Sequence, residues 1–347
     1  MRVFHMELRG RCFVGFLLAL AVTTSASQLA QSDRANSMLA EAAELTNMEA
    51  SNVPPFRLHV TFKFFSGSQG PNINGDLTIE FDSISHWRKE IKWGDLPTIE
   101  IAAENRLWRQ NIDLQRIDIL RLNRAIGFSQ LLLPNGGTKV SGPREEKIQG
   151  KSVDCAKWTK GSRVMFEACI DPNTGLPVRI HDQGKGVELE FGIDYLSIGA
   201  KHFPRSIRYK EGRGATLQID VDSLEIVDKF APERFEPPMG AVSIPWCSNE
   251  IAPSLRRFAN SEDLIFRSPD NTPVYGFTIP FSNFSLAIFD VNPEGQVASL
   301  KVYDKHGVDR PEDSEIAKLR ASTFRPAKCG NQRVEGEFVI WPSEPRP

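Results

Sequence analysis

Few side chains in this sequence have the types and spacing that catalytic chemistry requires. His181 and Asp182 are adjacent and could supply two members of a catalytic triad, but they follow Pro177 in a predicted turn and no nucleophile motif accompanies them. Glu145 and Glu146 are interpreted as a solvated loop pair, not as an acid and a base. The sequence has no HExxH, Walker or GxSxG motif. We therefore predict a protein that is not an enzyme and has no cofactor.

The N-terminus has the pattern of an export signal. Three arginines precede the apolar run Cys12 to Val22, and small residues follow from Thr24 to Ser27. The run is short for a membrane span, so we expect residues 1–27 to be a cleaved signal and the protein to be periplasmic or secreted. The alternative is an uncleaved segment that anchors the chain in the inner membrane.

The cysteines favour disulfides over metal ligands. Once Cys12 is removed with the signal, an even number of four remains, which suits an oxidising compartment. Cys155 and Cys169 flank a turn sequence between two strand-like runs, so they are predicted to pair across a hairpin. Cys247 and Cys329 are then predicted to form the second bridge. No CxxC spacing supports a zinc site, and no metal is predicted.

The elements that dominate the chain are strands with one apolar side. Leu58, Val60, Phe62 and Phe64 alternate with polar residues, which is the period of a half-buried strand. The pattern recurs at Leu77, Ile79 and Phe81; at Trp87, Ile91 and Trp93; at Val187, Leu189 and Phe191; and at Leu217, Ile219 and Val221. The apolar side must be covered by helices, a ligand or both. Phe62, Phe81, Trp93 and Phe191 are therefore candidates for lining an apolar ligand cavity, with plain core as the alternative.

Length and composition indicate two domains. At 347 residues the chain can bury two cores, and a net charge of −2 with both signs interspersed gives no basic groove for nucleic acid. A helix is predicted over Ser37 to Met48, and a helix, or a strand and a helix, over Arg116 to Leu133. We predict a half-barrel domain at 28–240, a linker at 241–280 and a small domain at 281–342. The predicted class is α+β: a wide curved antiparallel sheet of half-barrel type with an N-terminal helix, plus a small ββαβ unit.

The C-terminal segment resembles the C-terminal domain of the TonB family over about residues 270–342. The strands Ser285 to Val291 and Val297 to Tyr303, a capped helix ending before Phe324-Arg325-Pro326-Ala327, and a last strand at Val334 to Trp341 carry the resemblance. It implies a protein-interaction domain whose last strand accepts an extended partner segment. With Phe338 packed on the helix, Glu337, Val339 and Trp341 would form that partner edge.

Residues of about 37–238 resemble the lipoprotein-sorting half-barrels of the LolA and LolB type. The resemblance rests on a helix followed by strands, on Gly75 to Ile79 followed by Trp87-Arg88, and on Arg106-Leu107-Trp108. It implies binding of an apolar ligand or a lipidated protein, without catalysis. We predict an exported envelope protein that combines this binding with an interaction domain for an envelope protein. The alternatives are a membrane-anchored TonB-family energy transducer and a structural adaptor without ligand.

Overall fold

The computed structural model describes residues 31–340 with short gaps. The gaps are at 66–71, 94–96, 105, 112–115, 134–137, 161–162, 184–185, 213–214, 246–249, 252–253, 258–265, 268–272, 275–285, 305–309, 312 and 330. The predicted export signal, Cys247 and Trp341 therefore lie outside the described residues. None of the helices within the described part of the chain is long and apolar enough to span a membrane.

Three α-helices are described. Helix α1 covers residues 31–46, α2 is Arg116–Ile126 and α3 is Ser314–Arg320; two 3-10 helices are Phe128–Leu132 and Pro232–Phe235. The start predicted for α1 at Ser37 was wrong: residues 31–36 are already helical, and the buried stripe includes Ala35, two residues before Ser37, as well as Leu39 and Ala42.

The strands account for most of the remaining described residues. Up to Ile226 they are β1 (Phe56–Phe65), β2 (Ile73–Ser83), β3 (His86–Lys92), β4 (Thr98–Ala103), β5 (Arg106–Gln110), β6 (Lys139–Ile148), β7 (Lys151–Lys160), β8 (Arg163–Ile170), β9 (Pro177–Asp182), β10 (Val187–Phe191), β11 (Tyr195–Ile198), β12 (Lys201–Pro204), β13 (Ser206–Glu211) and β14 (Ala215–Ile226). They are followed by β15 (Val242–Pro245), β16 (Glu250–Ile251), β17 (Ser254–Arg257), β18 (Phe266–Arg267), β19 (Pro273–Val274), β20 (Leu286–Val291), β21 (Val297–Tyr303), β22 (Thr323–Arg325), β23 (Ala327–Cys329), β24 (Gln332–Val334) and β25 (Gly336–Ile340).

The chain divides into two compact units. The first combines Met1–Met48 with Ala125–Gln218, and the second combines Glu49–Arg124 with Ile219–Pro347. One wide sheet of thirteen described strands has the order β15-β5-β4-β3-β2-β1-β14 and continues from β14 as β13-β10-β9-β8-β7-β6. Strand β14 begins in the first unit and ends in the second. The predicted α+β class is confirmed, with an N-terminal helix and a wide antiparallel sheet that is not closed among the described strands.

Strand β1 shows why the sequence forms this sheet. Its residues alternate between buried and more accessible positions along most of the strand, and Leu58, Val60 and Phe62 are all at most 2% exposed. Directly opposed residues of antiparallel strands share a face. Val60 lies opposite Leu77, and Leu77 lies opposite Ile91, so the apolar rows continue from β1 into β2 and β3.

The C-terminal segment folds around its own small core. Strands β20, β21 and β25 form a sheet in the order β21-β20-β25, and α3 supplies Ile316 and Leu319 to a core with Phe289 and Phe324. The ββαβ order is present, but three short strands separate α3 from the last strand. The single strand predicted from Val334 to Trp341 was wrong in its start, since β24 ends at Val334 and β25 begins at Gly336.

The segment predicted as an irregular linker contains short strands. Strand β15 pairs with β5 and so extends the wide sheet beyond residue 240. Strands β16 and β17 pair with β23 and β22, which follow α3. These pairings are distant in sequence, and a local pattern does not reveal them. The domain bounds at 240 and 280 stay a prediction.

Candidate functional site

The apolar face of β1, β2 and β3 in the second unit is the candidate site, and we call it the inner face. Phe62 and Trp93 meet edge to face, with ring centroids 5.6 Å apart, and Phe81 stacks on Phe56 at 5.1 Å. Phe62, Phe81 and Trp93 are 2%, 3% and 6% exposed. Gly75 lies opposite Phe62 and gives the ring its space, because a Cβ there would stand 2.4 Å from the ring.

Phe191, the fourth predicted cavity residue, belongs to the first unit. It lies on β10 and contacts Phe128 at a centroid distance of 4.5 Å, and Phe128 in turn lies 6.1 Å from Phe203. All three rings are buried. The four predicted residues are therefore all buried on apolar faces, three in one unit and one in the other, and their role in a cavity stays a prediction.

Helix α2 covers the inner face. Its Asn123 accepts a hydrogen bond of 2.9 Å from the Lys89 Nζ on β3, and the Arg121 guanidinium lies 5.3 Å from the centre of the Phe64 ring on β1. Ile119 and Leu122 of the same helix are 1% exposed. The helix thus buries a leucine and an isoleucine, and a hydrogen bond and a cation–ring contact join it to the sheet.

A row of polar side chains begins on the inner face at Lys89 and continues onto β4 and β5. Five residues lie opposite one another in turn from β1 to β5. The first two are apolar and the last three are charged: Leu58, Ile79, Lys89, Glu100 and Arg109. Glu100 is 5% exposed and lies 3.3 Å from the Arg109 Nε. This row was not predicted from the sequence. The available signal was the position of Lys89, which is two residues from both Trp87 and Ile91 and hence on their face.

A small cleft in the first unit does not have the size of a lipid site. It lies between α1 and the 3-10 helix after α2, has a volume of about 100 Å³, and is lined by Ala40, Ala43, Glu44, Asn47, Ser129, Gln130 and Leu133. Sites for drug-sized ligands usually enclose roughly 300–1,000 Å³. Beside it, Lys201 donates hydrogen bonds to the side chain and the backbone carbonyl of Glu44.

The residues considered for catalysis lie on strands. His181 and Asp182 are in β9, not in a turn, and Glu145 and Glu146 are in β6, not in a loop. Adjacent strand residues point to opposite faces, so neither pair can act on one substrate atom. Glu145 is engaged by the Ser152 hydroxyl, which donates a hydrogen bond to it.

One face of β7, β8 and β9 in the first unit carries a cluster of ion pairs. The Glu167 carboxylate lies 2.8 Å from the Lys157 Nζ and 2.6 Å from an Arg179 guanidinium nitrogen. Burial alone would raise the pKa of Glu167, but the hydrogen bonds and charges of Lys157 and Arg179 outweigh it and hold that pKa below its usual value. Such pairing stabilises the ionised form, so this cluster is suited to structural support.

The bridge predicted between Cys155 and Cys169 is confirmed. The two residues are directly opposite each other on β7 and β8, and their sulfur atoms are bonded. For the second predicted pair, Cys329 lies on β23 opposite Glu250. Glu250 follows Cys247 by three residues in the sequence. The Cys247 to Cys329 bridge stays a prediction, because Cys247 is outside the described residues.

The predicted partner edge lies on β25. Within the described part of the chain, β25 pairs with β20 alone, with Glu337 opposite Asp290 and Val339 opposite Ile288. Phe338 packs against the small core, with its ring 5.1 Å from that of Phe324. The strand thus has the position that the prediction requires, and its use by a partner is untested.

Comparisons with known proteins identify no family. No protein-family model and no curated protein matches the chain. Among solved structures it is similar to a LolA superfamily protein from Nitrosomonas europaea, with 11% identity over 59% of this chain and 97% of that one and a TM-score of 0.37. It is also similar to a DUF1329 family protein from Desulfovibrio piger, with 11% identity over 59% of this chain and 97% of that one and a TM-score of 0.40. A putative outer membrane lipoprotein-sorting protein domain from Vibrio parahaemolyticus has 11% identity over 58% of this chain and 97% of its own, with a TM-score of 0.38. Similarities of this size establish no shared function, and the TonB resemblance stays a prediction.

Proposed function

We propose that this chain is an exported, non-enzymatic binding protein that holds an apolar ligand against the inner face, with α2 as a movable cover. The ligand class is a lipid or the acyl chain of a lipidated protein. Phe62, Phe81 and Trp93 would contact the ligand after α2 moves. Phe191 lies in the first unit, and its role in a cavity of that unit stays a separate prediction. The burial of the first three residues supports the proposal, since an apolar site without ligand must be covered to stay out of water.

The observation that carries this proposal is the polar composition of the contact under α2. A permanent core is apolar and closely packed, because polar groups buried without partners cost free energy. Lys89 and Asn123 instead form a hydrogen bond there, and the charged Arg121 guanidinium lies over a ring of the sheet. Water can take over the hydrogen bonds of these groups when the helix moves away. Lifting α2 then exposes the buried Ile119 and Leu122 and also breaks the contact of Leu120 with the small domain. An apolar ligand would cover the apolar surface under the helix.

The small C-terminal domain is proposed to bind an envelope protein at the β25 edge. An edge strand offers unpaired N–H and C=O groups, to which an extended segment can add as a further strand. A Val339→Pro variant removes one backbone donor from β25. We expect pull-downs from envelope extract to lose the partner with this variant and to keep it with the exposed control Lys328→Ala. Equal recovery with both variants would contradict edge pairing.

Two other functions remain distinguishable by experiment. A TonB-family transducer requires residues 13–22 to be retained as a membrane anchor, so an intact N-terminus on protein purified from membranes would favour it over the exported binding protein. A structural adaptor requires the inner face to be a permanent core. Folded protein that takes up no apolar probe would favour the adaptor.

The proposed function is tested with Nile red, a neutral apolar dye, added to delipidated protein. We expect saturable binding of one dye per chain. The Asn123→Ala variant removes the acceptor for Lys89, and a hydrogen bond from a charged group is worth about 1.5–3 kcal/mol. The cover should therefore open more easily, and dye association should be roughly 10-fold faster or more. Asn173→Ala, in an exposed turn of the first unit, is the matched control and should bind at the wild-type rate.

A further inference from the structure

The charge on the inner face is not balanced at Lys89. Its ammonium group donates a hydrogen bond to the neutral amide of Asn123 and lies 5.5 Å from the centre of the Trp87 ring. Glu100, the carboxylate opposite Lys89 in the next strand, lies 3.3 Å from the Arg109 Nε instead. Among the residues that the structure describes, no carboxylate forms an ion pair with Lys89.

The other lysine at the end of the same strand shows the usual arrangement. Lys92 lies on the face of β3 opposite to the inner face, which we call the outer face. Its side chain is 63% exposed, and its Nζ is 3.2 Å from the Glu90 carboxylate. Moving a cation out of water costs free energy unless an anion or several hydrogen bonds compensate it. Lys89 is half-buried on an apolar face and incurs part of that cost, and its partners among the described residues are an amide and a ring. This arrangement leaves room for an anion from outside the described chain.

From this geometry we propose that Lys89 and Asn123 bind the anionic head group of an amphipathic ligand. The inference rests on the proposed function and narrows its ligand class from apolar compounds to anionic amphiphiles. The head group replaces the Asn123 carbonyl as acceptor of the Lys89 hydrogen bond, and the Asn123 amide N–H₂ then donates to the same head group.

The apolar chain of such a ligand has a path along β3. Positions 89, 91 and 93 share one side of the strand, so the path from Lys89 past Ile91 to Trp93 is about 13 Å long at the usual strand rise. Ile91 and Trp93 are buried, and Phe62 forms the end of this path by its edge contact with Trp93. A charged head at Lys89 and an aliphatic chain toward Phe62 would therefore match the charge and the apolar surface of the face.

The test compares two ligands that differ in their head group alone. Oleic acid and oleyl alcohol are titrated against protein loaded with Nile red, and dissociation constants are obtained from displacement. A hydrogen bond between charged groups should make wild-type protein bind the acid about 10- to 100-fold more tightly than the alcohol. Lys89→Gln should remove this preference, Lys89→Arg should keep most of it, and the outer-face control Lys92→Gln should leave it unchanged.

The outcomes separate the two proposals. If both ligands displace the dye equally in wild-type protein and in Lys89→Gln, the head-group assignment is wrong while apolar binding stands. If the folded wild-type protein binds neither the dye nor either ligand, the proposed function itself is wrong. Thermal unfolding of each variant shows whether Lys89→Gln loses the preference for the acid because it loses structure. If Lys89→Arg keeps the preference and Lys89→Gln melts at the same temperature as Lys89→Arg, lost structure is not the cause.

Discussion

Replacing Phe62 by alanine perturbs the centre of the inner face. The ring is 2% exposed, packs on Trp93 with a centroid distance of 5.6 Å, and lies against the backbone of Gly75, where no side chain can fill the space that it leaves. Buried Phe→Ala substitutions cost about 3–5 kcal/mol of unfolding free energy, of which an aromatic pair contributes about 0.5–1.5 kcal/mol. We expect a loss in the upper half of that range, since Gly75 offers no side chain that could close the cavity.

The matched control is Phe65→Ala on the same strand. Phe65 is 37% exposed on the opposite face, and a surface substitution of this kind should change the unfolding free energy by about 0.5 kcal/mol or less. Urea unfolding of both variants, followed by circular dichroism, measures the difference. A loss for Phe62→Ala as small as that for Phe65→Ala would refute the account of the inner face.

The same variant also distinguishes a ligand site from a permanent core. Phe62→Ala leaves an apolar cavity at the end of the proposed ligand path, so a saturating apolar ligand should restore part of the lost stability by mass action. The gain should be larger for Phe62→Ala than for Phe65→Ala. Equal melting temperatures of Phe62→Ala with and without oleic acid would argue against a ligand at this position.

Three further predictions concern the supporting structure. Replacing Cys155 and Cys169 by alanine should lower the unfolding free energy by about 3 kcal/mol in urea titrations, because the bridge closes a loop with a sequence separation of 14; a change below 0.5 kcal/mol would contradict this role. The pKa of Glu167 is lower in the folded chain than the ordinary pKa of a glutamate. The ionised carboxylate therefore stabilises the fold at pH values above that ordinary pKa, and this stability is lost as the pH falls through the folded pKa. Glu167→Gln should flatten the fall of melting temperature on the acid side, and an unchanged pH profile would oppose this. Leu120 on α2 packs against Ile288 and Tyr303 of the small domain, so Leu120→Ala should speed amide exchange in α2 while Leu133→Ala, at a half-exposed position, does not; identical exchange in both variants would exclude this support.

The local patterns of the sequence predict much of the sheet. The alternation in β1 and the facing positions of Cys155 and Cys169 follow from the strand period and from one turn, which are properties of short segments. The start of α1 was missed because the polar residues before Ser37 hide the buried position at Ala35. A larger apolar side chain such as Leu39 marks the buried stripe of the helix in the sequence more clearly than a single alanine does.

The polar row could not be assembled from the sequence. Lys89, Glu100 and Arg109 are on three strands, and their alignment depends on the register between these strands, which the turns and the packing set together. Asn123 joins them because α2 lies over β3, a tertiary contact without a local signal. The pairing of β16 and β17 with strands after α3 escaped prediction for the same reason.

Native mass spectrometry of the detergent-free protein tests the central claim most directly. The protein is measured as purified, after solvent extraction, and after incubation with oleic acid. We expect a one-to-one adduct with an anionic amphiphile in the purified or reloaded samples, and its loss on extraction. A folded chain that shows only its own mass in all three samples would contradict the assignment of the inner face as a ligand-binding site.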